Sequence, residues 1–180
     1  MSKVGWIGTG VMGAHMCKHL MTKTNCVTSV FNRTASKADM LVEAGATFKP
    51  ASQVAKDSDY VFLMLGYPHD VEKMVLSSEG VLQHMKKGSY LIDHTTSSPG
   101  LAYKIWETAK ERGVHSIDAP VSGGDIGAKS GQVVTMVGAE DEAFEKVNPL
   151  METYSKKVEL MGGPSMGQHT KAVSNILFEP

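Results

Sequence analysis

Lys171 and Asn175 stand four residues apart in the closing stretch GPSMGQHTKAVSNILFEP, so on a helix both project from the same face. A lysine that can give or take a proton, beside a neutral amide that can orient an oxygen, is a pair fit for chemistry. A solvated helix face has the same spacing, and spacing alone leaves both readings open. Near the other end, Gly8-Thr9-Gly10-Val11-Met12-Gly13 is a GxGxxG set directly between a strand-like and a helical segment. The first glycine allows a tight turn, the second lets backbone approach a pyrophosphate, and the third permits close helix-strand packing. The helix start adds free N–H groups and a positive dipole end, so this is the chemistry of dinucleotide binding.

The next strand ends in Phe31-Asn32-Arg33-Thr34, where a site for NAD ordinarily presents a carboxylate to the ribose 2′-hydroxyl. No carboxylate stands at Asn32. Arg33 can bond bidentately, Thr34 through its hydroxyl, and Lys37 follows a turn later, a set that suits a 2′-phosphate. NADP is therefore expected in preference to NAD, with NAD possible. Three later segments, Met64-Leu65-Gly66-Tyr67-Pro68, Asp93-His94-Thr95-Thr96-Ser97 and Asp118 to Gly124, each follow a strand. In an open parallel sheet such loops converge on the ligand crevice. Within the third, Ser122-Gly123-Gly124 offers a hydroxyl and unobstructed backbone N–H groups to a carboxylate or other small anion, and a flexible turn has the same composition.

The elements that must position these residues follow from the alternation of short β-rich segments with longer helical ones, which predicts an α/β fold, a doubly wound, mostly parallel sheet with helices on both faces. Strands are expected at 3–7, 26–31, 60–65, 89–93, 114–119 and 132–138, with short ones at 47–48 and near 157–160. Helices are expected at 11–21, 36–44, 99–112 and 140–151. The Gly162-Gly163-Pro164 cluster divides a dinucleotide-binding domain, 1–163, from a segment, 164–180, that reads as the start of an interdomain helix cut short.

At 180 residues and a formal net charge of −1, the chain is sized for one domain and gives no reason to expect a nucleic-acid partner. No apolar run approaches a membrane span and no leader pattern opens the chain, so a cytoplasmic protein acting on a small molecule is expected. The two cysteines, Cys17 and Cys26, read as reduced packing residues. His15 and His19, one helical turn apart, lack the acidic residue and third ligand of a metal site.

Taken together, VGWIGTGVMGAHM, FNRTASKADML, VFLMLGYPHDV, DAPVSGGDIGAKSGQVVTMVGA and GPSMGQHTKAVSN make the sequence resemble the β-hydroxyacid dehydrogenase family, nearly end to end. That family includes 3-hydroxyisobutyrate dehydrogenase, tartronate semialdehyde reductase, glyoxylate reductase and, more distantly, 6-phosphogluconate dehydrogenase. The resemblance implies NAD(P)-linked oxidation of a 3-hydroxy acid or reduction of a small semialdehyde or glyoxylate. It assigns Lys171 as the acid–base residue, Asn175 as a holder of the substrate hydroxyl, Ser122, Gly123 and Gly124 as the substrate grip, and Thr96 as a contact to the nicotinamide end. Such a role asks for a lysine taken out of water.

Two residues depart from the family pattern. Ser174 stands where relatives have Asn or His, which weakens the 6-phosphogluconate branch, and His94 stands where Met is usual, with no physical account from sequence. An imine reductase-like enzyme would lack Lys171, and a non-catalytic NADP sensor or interaction module is a further alternative, docking through Ile176-Leu177-Phe178. Family members continue into an all-helical second domain that covers the site and builds most of a dimer. The expectation is thus a cofactor domain whose full-length protein is a homo-oligomer, with Lys171 exposed in this chain and binding without efficient turnover.

Overall fold

The apolar segment Lys3–Ile7 forms β1 and passes at the glycine loop into α1 (Val11–Lys23). The computed structural model describes residues 2–178, with side chains described for 2–177. β2 (Val27–Phe31) leads through a 3-10 turn (Ala35–Ala38) to α2 (Asp39–Glu43), β3 (Thr47–Phe48), α3 (Ala51–Asp57), β4 (Tyr60–Leu63) and α4 (Pro68–Leu76). Next come β5 (Tyr90–Asp93), α5 (Pro99–Glu111), β6 (His115–Asp118), β7 (Val121–Ser122), α6 (Gly124–Ser130) and β8 (Val133–Gly138). α7 (Asp141–Met151), β9 (Ser155–Gly162) and α8 (Met166–Phe178) complete the order.

Among the described residues the strands form one nine-stranded sheet, ordered β3-β2-β1-β4-β5-β6-β8-β7, with β9 beside β8. The strands from β1 to β6 pair in parallel, and β1 lies next to β4, so the winding reverses between them. At such a switch point the loops leaving the two strands part in opposite directions and open a crevice. The sheet is thus mostly parallel, as expected, with β8 parallel to β9 and antiparallel to β6 and β7.

The period-two pleat sorts the strand residues onto two cores. Val4, Trp6, Phe62, Ile92 and Ile117 pack with Met16, Cys17, Leu20 and Tyr154 on one face. Ile7, Val61, Leu63 and Leu91 pack with Val54, Val71, Val75 and Ile105 on the other. Helices on both faces follow from strands that are apolar on both sides. Gly5 is part of this packing, since a Cβ there would come within 2.5 Å of Val54 Cγ1 on α3.

The expected strands lie where the alternation placed them, and the expected helices do too, except that 36–44 divides into the 3-10 turn and the short α2. Five elements among the described residues are additional: α3, α4, α6, the two-residue β7 and a 3-10 turn at Val81–Gln83. No helix among the described residues is long and apolar enough to cross a membrane.

Candidate functional site

Where β1 gives way to α1, Gly8 adopts φ +97°, and a Cβ on it would lie 2.1 Å from the Met64 carbonyl oxygen. A Cβ on Gly13 would lie 2.1 Å from the Gly8 carbonyl oxygen, so these two glycines bring loop, helix and β4 into backbone contact. Gly10 differs: nothing stands within 4 Å of where its Cβ would be. It is the N-cap of α1, no side chain caps it, and the first turn holds no acidic residue. The opening N–H groups of that helix are therefore disposed toward an anion approaching past Gly10, as a dinucleotide pyrophosphate requires. Of the other loop residues, Val11 is 60% exposed, Met12 packs partly against the core, and Thr9 is buried with an Oγ1 that has no hydrogen-bond partner.

The expected 2′-phosphate residues divide into a brace and an open cation. Asn32 Oδ1 accepts from the Thr9 N–H at 3.0 Å, and its Nδ2 donates to the Thr34 carbonyl at 2.9 Å, so this side chain fixes the glycine loop. The Arg33 side chain is 91% exposed, and Thr34 and Lys37 are exposed beside it. A carboxylate from another element reaches this corner: Asp70, in the first turn of α4, lies 3.9 Å from the Arg33 guanidinium. Sequence reasoning missed it, because only the pairing of β1 with both β2 and β4 brings these loops together.

The loops after β4, β5 and β6 meet as expected. The Leu65 N–H donates to Thr95 Oγ1 at 2.9 Å, and the Thr95 N–H donates to Asp93 Oδ1 at 2.9 Å. Met64 and Leu65 are half-buried in this contact, whereas Gly66 and Thr96 are exposed. His94, unexplained from sequence, is wholly buried: Nδ1 lies 2.6 Å from the Ala119 carbonyl and Nε2 lies 2.8 Å from the Tyr154 hydroxyl. A neutral ring donating from Nδ1 and accepting at Nε2 satisfies both partners, and burial pulls its pKa down to about 4. The ring stacks near Trp6 and Phe62, so it ties the start of the Ala119–Ser122 segment to the core.

Lys171 overturns the expectation of an exposed lysine. It is 5% exposed, and Nζ donates to Ser122 Oγ at 3.0 Å. The cause is that α8 folds back over the sheet. The chain reverses at Gly162, φ +135°, and Ser165, φ +74°, and the Asp118 carboxylate then holds the helix start. Asp118 Oδ1 accepts from the Ser165 N–H at 2.7 Å and Oδ2 from the Gln168 N–H at 2.8 Å, capping α8 with a negative charge at its positive end. The approach needs Gly138 and Gly167, whose Cβ atoms would fall 2.4 Å from Asp118 Oδ1 and 2.5 Å from the Met136 carbonyl oxygen. Burial raises the Asp118 pKa to about 6 despite the backbone donors, and that of Asp93, with the Asp118 charge adding to it, to about 7.

Asn175, one turn beyond Lys171, is half-buried and its Oδ1 is enclosed without a partner. Ser97 Oγ is likewise buried and unpartnered. Unmet hydrogen-bonding capacity of this kind at the carboxyl edge of a sheet fits a ligand with oxygen-bearing groups. Gly123 and Gly124 are exposed next to the half-buried Ser122, leading into α6. Among the described residues no group of three or more His, Cys, Asp or Glu is placed to hold a metal.

Residues 3–163 match the family described as the NAD binding domain of 6-phosphogluconate dehydrogenase. An uncharacterized oxidoreductase, YkwC, of Bacillus subtilis is 43% identical over 174 residues, covering 96% of this chain and 60% of that protein. A probable 3-hydroxyisobutyrate dehydrogenase-like protein, mitochondrial, of Arabidopsis thaliana is 43% identical over 97% of this chain and 52% of its own length. In structure, a 3-hydroxyisobutyrate dehydrogenase of Mycobacterium tuberculosis, solved with L-serine, superposes with a TM-score of 0.91 at 26% identity, covering 98% of this chain and 60% of that one. The chain thus spans between 52% and 60% of the length of these relatives.

Proposed function

Because the chain belongs to the β-hydroxyacid dehydrogenases through its 6-phosphogluconate dehydrogenase-type NAD binding domain, we propose that it is the cofactor-binding part of an NADP-dependent oxidoreductase. Its substrate would be a 3-hydroxy acid, or in reverse a small semialdehyde or glyoxylate. The observation that carries this reading is the buried Lys171, its Nζ held on Ser122 Oγ at 3.0 Å, beside the unpartnered Asn175 amide oxygen. Relatives named a probable 3-hydroxyisobutyrate dehydrogenase-like protein and a 3-hydroxyisobutyrate dehydrogenase support the substrate class.

The residues divide the work by chemistry. Gly10 and the first turn of α1 receive the pyrophosphate, and Arg33 with Thr34 and Lys37 receives the 2′-phosphate. A nicotinamide dinucleotide held there supplies or accepts the hydride. Ser122 Oγ and the bare backbone at Gly123 and Gly124 hold the substrate carboxylate, which fixes the carbon that reacts. Lys171 Nζ takes the proton from the substrate hydroxyl or returns it to the carbonyl oxygen, and the Asn175 amide orients that oxygen without adding charge. Because Lys171 already reaches Ser122, carboxylate grip and proton exchange lie within one hydrogen bond of each other.

For the 180-residue chain by itself, cofactor binding without efficient turnover is expected. The reason is no longer an exposed lysine. Gly123, Gly124 and Thr96 are open to water, and a reacting centre left wet on one side loses electrostatic stabilisation. Ile176 and Leu177, 81% and 66% exposed, would be covered by the further helical region that the greater length of the relatives allows, and homo-oligomer contacts would form there. Titrating NADP and NAD separately, then assaying NADPH oxidation with glyoxylate and succinate semialdehyde, tests this reading. Tighter NAD binding refutes the NADP assignment, and turnover at ordinary enzyme rates refutes the inactivity of the chain alone.

A further inference from the structure

Gln168 is 1% exposed; its side chain bonds the loop after β5 and its backbone the end of β6. Its Nε2 donates to the Thr95 carbonyl at 2.7 Å and its Oε1 accepts from the Ser97 N–H at 2.9 Å. The opposite amide orientation would set oxygen against oxygen and N–H against N–H, so the bonding fixes the rotamer. The two contacts bracket Thr96, whose exposed side chain is presented between them. The Gln168 backbone N–H is meanwhile held by Asp118 Oδ2 at the end of β6. Lys171 lies three residues on, hence on a neighbouring position of the same helical face. An unbroken set of bonds therefore runs from the loop after β4, through Leu65 N–H and Thr95 Oγ1, across the Gln168 amide to the helix that carries Lys171.

We propose that Gln168 is a positioning residue: its amide clasps the loop around Thr96 to α8, so that occupancy of the dinucleotide crevice sets the placement of Lys171 relative to Ser122. The proposal rests on the cofactor reading above. The physical basis is that both contacts are neutral hydrogen bonds to backbone, the one to Thr95 buried and the one to Ser97 partly so, and a moving loop that breaks the buried one leaves a polar group unmet. A shift of the 95–97 backbone on ligand binding is therefore passed to α8 instead of being absorbed.

Hydrogen exchange on the chain, with and without saturating oxidised NADP, separates this role from a merely structural one. In the wild type, exchange of the Ser165 and Gln168 amides should slow by about tenfold on binding, within the usual range of site-to-site coupling. In Gln168→Leu the amides of 95–97 should still respond while those of α8 do not. Gln168→Glu guards against a Leu variant that fails to fold. Its ionised carboxylate can accept from Ser97 N–H but cannot donate to the Thr95 carbonyl, whereas the protonated acid does both. The response of α8, taken at each pH relative to the wild type, should therefore return as pH falls; the wild-type reference removes the titration of Asp93 and of Asp118, which caps the same amides, and the constant influence of Lys171 on the same helix. A wild-type response in Gln168→Leu, or a pH-independent one in Gln168→Glu, overturns the clasp. Absence of any binding isotherm for NADP or NAD in the wild type instead sinks the cofactor reading, and the clasp's role with it.

Discussion

The glycine loop at Gly8–Gly13 and the helix carrying Lys171 both face the carboxyl edge of the sheet, yet one is made of backbone and the other of buried side chains. In the loop, contacts are set by atoms that are missing: no Cβ at Gly8 or Gly13, where one would press on a carbonyl oxygen, and none at Gly10, which is left open. Around α8, contacts are set by groups that are present, with Asp118, Gln168 and Lys171 all buried: Asp118 accepts from the first N–H groups of the helix, the Gln168 amide bonds the loop after β5, and Lys171 bonds Ser122. The first arrangement suits a ligand gripped through phosphates from an open side. The second suits chemistry, where a proton must be exchanged at a fixed atom out of water. Substitutions should therefore act on binding in one region and on geometry and pH response in the other.

The largest expected effect comes from violating the loop where it touches β4. Gly8→Ala adds a Cβ 2.1 Å from the Met64 carbonyl oxygen at φ +97°, so both strain and collision apply. Destabilisation of about 3 kcal/mol or more is expected. Chemical denaturation would read it, and a variant as stable as the wild type would show that the β1–α1 turn is softer than its contacts indicate.

A second effect belongs to the buried half and has a sign in pH. His94 has its pKa lowered from 6.5 to about 4 by burial, so the unfolded chain binds the proton more tightly. Its contribution is fully present above pH 6.5 and is lost as pH falls toward 4, by roughly 3 kcal/mol over that window. Asp93 and Asp118, raised to about 7 and about 6, act in the opposite sense, favouring the fold as pH falls from neutrality toward 3.8. His94→Met isolates the imidazole: the variant should be less stable at pH 7, with the Ala119 carbonyl and Tyr154 hydroxyl left unpaired, yet lose less on acidification. Denaturation midpoints between pH 4 and 7 for both proteins provide the check, and parallel curves would remove His94 from the acid response.

Arg33→Ala and Asp70→Asn bring the comparison back to binding with smaller effects. Removing the 91% exposed Arg33 should weaken NADP about tenfold, the loss of a charge-assisted contact at a wet site, and leave NAD nearly unchanged. Asp70→Asn, which frees Arg33 from a carboxylate 3.9 Å away, should tighten NADP a few-fold. Equal effects on both dinucleotides would show that Arg33 does not read the 2′-phosphate.

The same contrast decides what could be read without the structure. The backbone-made half was legible, because glycines at fixed spacing between a strand and a helix have few other uses, and the apolar alternation located β1, β2 and β4–β6 around them. The direction of β8 was not, since VVTMVG is equally apolar for a parallel and an antiparallel strand. GDIGAKS gives little helix propensity, and α6 forms with Gly127 and Ala128 buried as the helix packs chiefly on α1. The burial of Lys171 had no local signal either. It depends on Asp118, 50 residues before Gln168, and on Gly138 admitting the helix. Gln168, taken alone, resembles any polar residue of a solvated helix.

The smallest stability effect should come from the remaining glycine of the loop. A Cβ on Gly10 meets nothing within 4 Å and the residue has φ −70°, a value open to any amino acid. Gly10→Ala should therefore change stability by no more than about 0.5 kcal/mol, mostly through the poorer N-cap that alanine makes. The open space is the place where a pyrophosphate would have to approach the first turn of α1, so the same methyl group should cost dinucleotide binding far more than it costs the fold. A thermal melt close to wild type together with sharply weakened NADP binding would separate the two functions of the loop in one residue. Undiminished binding would mean that the anion passes elsewhere, and that the openness at Gly10 is a property of the turn alone.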